Sequence, residues 1–296
     1  MTVIIEPLSA NVMNACFVGL MSFGLLMTPQ QFMKGGKYQS PWFNNLPNER
    51  DDKLYYLGQF MGFVLLCGCV IPTLVSPGSQ FLCYQMAIIH GINIIHSGLF
   101  LFTQMYGDAK PKSCSGLCQW FLTGLLSMVF FVVTALAASH STEDVVDSSS
   151  VYISKEIANI TMLAFSSTFA LLFIFAPQYL LSIFWKDETL QGGSEICGFQ
   201  VIEITGAEKW WSRCVGATIL GLNLGMAVDT NISQPLYTLG SLCVLSCLTL
   251  FNLHQVIMRP YRSITFYQIK VVWIPNILMS MIVISVMICA IVPKSF

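Results

Sequence analysis

Residues 117–138 of the chain read LCQWFLTGLLSMVFFVVTALAA, twenty-two positions without a charged side chain. A hydrocarbon core of roughly 30 Å is crossed by about 20 helical residues. The run lacks the apolar/polar alternation of a barrel strand and is too long for one, so it reads as a membrane-spanning helix. Working outward, seven further segments read the same way: 12–27, 54–75, 81–105, 157–184, 211–228, 236–257 and 271–292. The expectation is an all-α polytopic membrane helical bundle of about eight transmembrane helices. Composition agrees, because 55% of the 296 residues are hydrophobic and only 10% are charged, against roughly 25% charged in an average soluble protein. A net charge of -1 provides no basic surface for a nucleic-acid backbone, so nucleic acid is excluded as a partner.

Orientation follows from the cations, because Lys and Arg in short loops stay on the cytoplasmic side or its organellar equivalent. The loops joining spans one-two, three-four, five-six and seven-eight share a side. With their edges they hold Lys34, Lys37, Arg50, Lys53, Lys110, Lys112, Lys186, Lys209, Arg213, Arg259, Arg262 and Lys270, leaving Lys155 and Lys294 opposite. This places both termini on the non-cytoplasmic or organelle-lumen face. Trp42 falls in the first loop, while Trp120, Trp185, Trp210, Trp211 and Trp273 fall at helix ends on the basic side. Indoles favour the headgroup level, so these are expected to be interface anchors. The first ten residues contain no Lys or Arg, and no cleavable leader is expected.

The chain also reads as two parallel four-helix repeats. Span one runs into Pro29-Gln30-Gln31-Phe32 and span five into Pro177-Gln178-Tyr179-Leu180, 148 positions later. Glycine pairs come next at Gly35-Gly36 and Gly192-Gly193. Tyr55-Tyr56 then corresponds to Trp210-Trp211, Gly62 to Gly216, and the basic turn Lys110-Pro111-Lys112 to Arg259-Pro260-Tyr261-Arg262. An even number of spans per repeat requires a pseudo-twofold along the membrane normal. The division is 1–140, an acidic and Ser-rich linker at 141–156, and 157–296. Proline ends spans one and five, and the segment after each proline could be a short interfacial helix or an irregular loop.

Span centres lack charge, which weighs against transport coupled through a buried carboxylate. The neutral polar groups within spans are His90, Asn93 and His96 in span three, Asn223 in six, Asn252, His254 and Gln255 in seven, and Asn276 in eight. Asn93, His96, Asn223, Asn252, His254 and Asn276 are candidates for a polar interface or a pathway between the repeats. His90, His96 and His254 are candidate ligands for a haem iron or chlorophyll magnesium. The competing reading of all of them is interhelical hydrogen bonding. His90 and His96 lie about 240° apart around a helix and cannot form one tight site. No cofactor is required by the sequence, and the cysteines lie mainly in spans as small apolar filler without zinc spacing. Two sequons, at Asn159 and Asn231, fall near the predicted outer face. No phosphate loop, nucleophile elbow, metalloprotease helix or carboxylate pair occurs, so no catalytic residue is expected.

The stretch Phe175-Ala176-Pro177-Gln178-Tyr179-Leu180, with the helix from Arg213 through Gly216 to Gly221, resembles the four-span tumour protein p53-inducible protein 11 family. The first half resembles it more loosely. The resemblance implies a four-span membrane unit, here doubled. That family has no assigned chemistry, so the resemblance transfers no functional residue. The resulting expectation is a non-catalytic accessory or scaffold protein in the bilayer, packing against other membrane proteins or pigments. A passive transporter or channel between the repeats is the alternative, and a haem- or chlorophyll-binding protein the third.

Overall fold

The structure, a computed structural model, describes residues 5–34, 43, 51–111, 114–139, 151–185, 195–196, 199–229, 233–258 and 264–292. Trp42, the two glycine pairs, the 141–150 part of the linker, Asn231, and the turn at Arg259 and Arg262 lie outside them.

The principal helices are α1 (Pro7–Met27), α2 (Pro29–Lys34), α3 (Asp52–Val75), α4 (Gln80–Phe102), α5 (Cys114–Ala138), α6 (Lys155–Phe175), α7 (Pro177–Phe184), α8 (Gly206–Asp229), α9 (Pro235–Met258) and α10 (Ile269–Cys289). Seven of them, α1, α3, α4, α5, α6, α9 and α10, are long and apolar enough to cross a membrane.

Local chemistry sets their ends. Pro29 and Pro177 lack an N–H, and their rings would collide with the preceding turn. So α1 stops at Met27 and restarts as α2, and α6 stops at Phe175 and restarts as α7. The segment 157–184, expected as one span, is therefore two helices joined at Ala176. Asp51 caps α3 by accepting from the Lys53 and Leu54 amides at 3.0 and 3.2 Å. Thr205 and Glu208 form a reciprocal capping box at the start of α8. The π-helical turns Leu66–Val70 in α3 and Ile269–Trp273 in α10 run directly into Ile71-Pro72 and Ile274-Pro275, where proline removes a ladder donor.

Helix α8 explains why one span reading lacks the hydropathy of the rest. Sixteen of its 24 residues are buried, and it is enclosed by α3, α4 and α6. A helix surrounded by protein needs no lipid-facing apolar side, so Glu208, Ser212, Thr218 and Asn223 can be accommodated on it. Helix α3 lies between α1 and α9, and it meets α8 where Gly68 faces Leu222. Helix α5 packs along α4 and α10 along α9. Both outer helices expose apolar side chains, among them Phe121, Leu122 and Val129 on α5 and Leu278, Met279 and Ile282 on α10.

The expected anchors face inward instead. Trp120, Trp185, Trp210, Trp211 and Trp273 are all buried. An anchoring indole must present its N–H to the headgroups. These rings are sealed among other aromatics, and Trp273 Nε1 donates to the Phe184 carbonyl at 3.2 Å.

Candidate functional site

Two aromatic assemblies sit at the end of the bundle that carries the α1–α3, α4–α5 and α6–α8 connections. In the first, Trp210 of α8 stacks on His96 of α4, ring centroids 5.0 Å apart and 6° from parallel. It also meets Trp120 edge-on at 4.8 Å, and Phe43 fills the angle between the two indoles. In the second, Tyr56 of α3 stacks on Phe251 of α9 at 5.4 Å and meets Trp185 and Trp273 edge-on. Between them lies an ion pair: Lys53 Nζ is 3.0 Å from Glu208 Oε1, whose side chain is fully buried.

Beside the second assembly the packing opens into a cavity of about 90 Å³. Its apolar wall is formed by Phe60, Phe165, Phe169, Phe173, Leu222 and Val244. Polar groups stand at several levels. The Asn223 amide donates to Ser166 Oγ and Ser167 Oγ, both at 2.9 Å, and its oxygen accepts from the Tyr237 hydroxyl at 2.8 Å. Asn252 Oδ1 accepts from the Tyr56 hydroxyl at 3.1 Å. Asn276 Oδ1 accepts from Ser280 Oγ at 3.4 Å. Gln85 Nε2 donates to the Leu222 carbonyl at 3.3 Å.

Of the candidate polar residues, Asn223, Asn252 and Asn276 therefore line this cavity, whereas Asn93 is half-buried away from its lining and His254 is exposed on α9. His96 is buried in the first aromatic assembly. Its Nε2 lies 2.5 Å from the Tyr106 hydroxyl and its Nδ1 3.3 Å from Cys214 Sγ, so both ring nitrogens are engaged whichever tautomer is taken. Burial pushes the Tyr106 hydroxyl above its usual range, with Arg213 opposing, which keeps the phenol protonated as a partner for the imidazole. His90 Nε2 lies 2.8 Å from Asn14 Oδ1. Asn14 gives its amide to the Ala10 carbonyl at 3.0 Å, which fixes Oδ1 as the acceptor and leaves the Nε2 proton on His90. The His90 ring is covered by Phe130 at 5.3 Å. None of the three imidazoles reaches the cavity. Among the described residues no cluster of His, Cys, Asp or Glu could hold a metal ion. Asn159 of the first sequon is buried, donating to the Gln234 carbonyl and accepting from Thr238.

Tyr56, Gln85, Ser166, Trp185 and Tyr237 also belong to the lining, and the sequence does not single them out as a group. One pattern points that way, polar side chains inside apolar runs, and it is shared by many residues that face elsewhere. The chain matches no family model, no curated protein and no solved structure.

Proposed function

We propose that this chain is a non-catalytic, multi-pass integral membrane protein of eight spans, α8 being the eighth, which holds a small molecule in the cavity bounded by α3, α6, α8, α9 and α10. The observation that carries this reading is the cavity itself, an aromatic-lined space with hydrogen-bonding groups inside a bundle whose outer surface is apolar. Such a lining is usual for small-molecule sites of about 300–1,000 Å³, and a volume of about 90 Å³ restricts the occupant here to a few heavy atoms. A continuous aqueous pore draws less support, since Asn93, His96 and His254 do not join the lining. Haem or chlorophyll ligation draws none from the imidazole geometry.

The two-repeat reading is supported by hydrogen bonds that recur between residues offset by 148 to 155 positions. Gln59 Nε2 donates to the Leu26 carbonyl at 3.2 Å, and Arg213 Nε donates to the Ile174 carbonyl at 3.1 Å. Asn11 donates to the Ser79 carbonyl at 2.8 Å and Asn159 to the Gln234 carbonyl at 3.3 Å. Cys83 Sγ donates to Asn11 Oδ1 and Thr238 Oγ1 to Asn159 Oδ1. Even the stacks that cross between the halves correspond, Tyr56 on Phe251 and Trp210 on His96.

Mass spectrometry of the protein purified in mild detergent tests the binding role. One retained small molecule per chain, lost in a Val244→Trp variant that fills the cavity, is the expected result. Retention of none, with a stoichiometric membrane-protein partner instead, supports the accessory or scaffold reading, which the exposed apolar faces of α5 and α10 favour. The expected sidedness, with termini opposite the basic loops, is checked by labelling the exposed Cys114 and Cys118 with an impermeant maleimide. Reaction from the cytoplasmic side alone is the predicted outcome.

A further inference from the structure

The cysteines within the spans have different partners. Cys83 Sγ donates to Asn11 Oδ1 at 3.2 Å, and Cys214 Sγ lies 3.3 Å from His96 Nδ1. Cys67 of α3 meets another thiol, its Sγ 3.6 Å from Cys247 Sγ of α9, which is van der Waals contact for two sulfurs. An antiparallel seam brings them together: Pro72 with Gly240, Gly68 with Val244 and Tyr56 with Asn252 are successive contacts between the same two helices. The backbones are close there, the Cys67 carbonyl oxygen lying 3.6 Å from where a Cβ on Gly240 would stand. Sulfurs in a disulfide are about 2 Å apart, so this pair has about 1.5 Å to close, shared by two side chains. Cys67 also lies in the π-helical turn Leu66–Val70, an interruption of the regular helix that recurs at functional sites.

Access to the two sulfurs is unequal. Cys67 is 1% exposed, sealed between helices. Cys247 is half-buried and shares one stripe of α9 with Leu250, His254 and Ile257, all exposed. Neither cysteine lines the cavity, so Cys247 is approached from the hydrocarbon outside the bundle and Cys67 only through Cys247. Among the described residues no basic side chain is bonded to either sulfur to take its proton, which makes any oxidation slow. Gly68 and Val244, the neighbouring contact on the seam, do line the cavity, and a covalent bond between Cys67 and Cys247 fixes those two walls relative to each other.

We infer that Cys67 and Cys247 are a dithiol modification site, which an organic hydroperoxide dissolved in the bilayer converts to a disulfide tying α3 to α9. Cys247 Sγ attacks the terminal peroxide oxygen, the O–O bond breaks, and the thiol proton leaves on the alcohol, so that Cys247 becomes a sulfenic acid. Cys67 Sγ then displaces that hydroxyl, which departs as water with the Cys67 proton as the S–S bond forms. Two thiols and one hydroperoxide thus give one disulfide, one alcohol and one water. The site is independent of what the cavity holds. The test is to treat the full chain in nanodiscs with cumene hydroperoxide, block remaining thiols with a maleimide, and map the digested protein by mass spectrometry without reductant. A peptide linking Cys67 to Cys247 is expected, lost on reduction and absent with oxidised glutathione, a polar oxidant confined to water. Cys67→Ser, or Cys67→Ala should the first variant fail to fold, should leave Cys247 as a sulfenic acid captured by dimedone. In Cys247→Ser, the sealed Cys67 should take up less than about a tenth of that label. No linked peptide once the exposed Cys114 and Cys118 have been oxidised, or a link from Cys67 to Cys243 in equal yield, overturns the assignment. Equal capture at Cys67 in Cys247→Ser, or equal oxidation by glutathione disulfide, overturns attack from the bilayer side.

Discussion

Two helix seams, α8 against α4 and α3 against α9, are set by different residues. Where α8 meets α4, backbones come into direct contact: a Cβ on Gly225 would lie 2.9 Å from Gln85 Cα, and one on Gly221 2.8 Å from Ile89 Cγ1. Where α3 meets α9, the π-helical turn at Leu66–Val70 and Pro72 set the approach: a Cβ on Gly240 would lie 3.0 Å from Pro72 Cγ and 3.6 Å from the Cys67 and Gly68 carbonyl oxygens, and Val244 Cγ2 would lie 3.5 Å from one on Gly68. Both seams border the cavity, the first through Gln85, Ile219, Leu222 and Asn223, the second through Gly68, Gly240 and Val244. Small residues facing a neighbouring backbone are what bring membrane helices together, since lipid is as apolar as the helices themselves. A glycine against its neighbour therefore sets the approach at both seams.

Breaking the α8–α4 seam should have the largest effect. Gly225→Leu is expected to destabilise the protein by about 3 kcal/mol, because the obstructing atom is backbone and cannot swing aside. Gly68→Ala should cost less than about 1 kcal/mol, since a leucine methyl can yield. Unfolding in graded detergent and denaturant mixtures measures both, and equal losses would refute the contrast between seams. Next comes the polar wall of the cavity. Asn223→Leu should cost about 2 kcal/mol by stranding the Tyr237 hydroxyl and the two serines, and Tyr237→Phe about 1 kcal/mol. A near-neutral Asn223→Leu would mean the network is not formed in the bilayer. Smaller again, Asn11→Leu and Asn159→Leu should each cost about 1 kcal/mol. Similar losses sharpen the correspondence of the halves, and a loss at one alone counts against it. Smallest of all, Ser241→Val at the cavity edge should stay within about 0.5 kcal/mol, whereas Ile89→Phe in the α8–α4 seam should cost about 2 kcal/mol by overpacking. Thermal unfolding of the pair reads that difference.

Much of this is legible in the sequence. Apolar runs locate seven membrane-competent helices, and Pro29 and Pro177 mark where α1 and α6 break. The segment 157–184 nevertheless reads as continuous, because its hydropathy does not dip at Ala176 and only the ring of Pro177 interrupts it. Trp120, Trp185, Trp210, Trp211 and Trp273 face the interior instead of the headgroups. Asn223, Asn252 and Asn276 share one space, while Asn93, His96 and His254 turn away from it. His96 is satisfied by Tyr106 and Cys214, partners 10 and 118 positions away that no spacing rule connects.

By itself the sequence determined which segments are apolar helices and where charge is allowed, with Pro29 and Pro177 marking the breaks after α1 and α6. These properties follow from backbone hydrogen bonding and from the cost of placing charge in hydrocarbon. Only the tertiary structure decided which face of each helix looks inward, that α8 lies enclosed by its neighbours, and that a cavity opens beside both seams. The reason lies in the solvent. In water an apolar stripe marks the core, but in a membrane lipid and core are equally apolar, so helix rotation is set by fine packing, a glycine against a backbone or an amide against a hydroxyl, which hydropathy does not record.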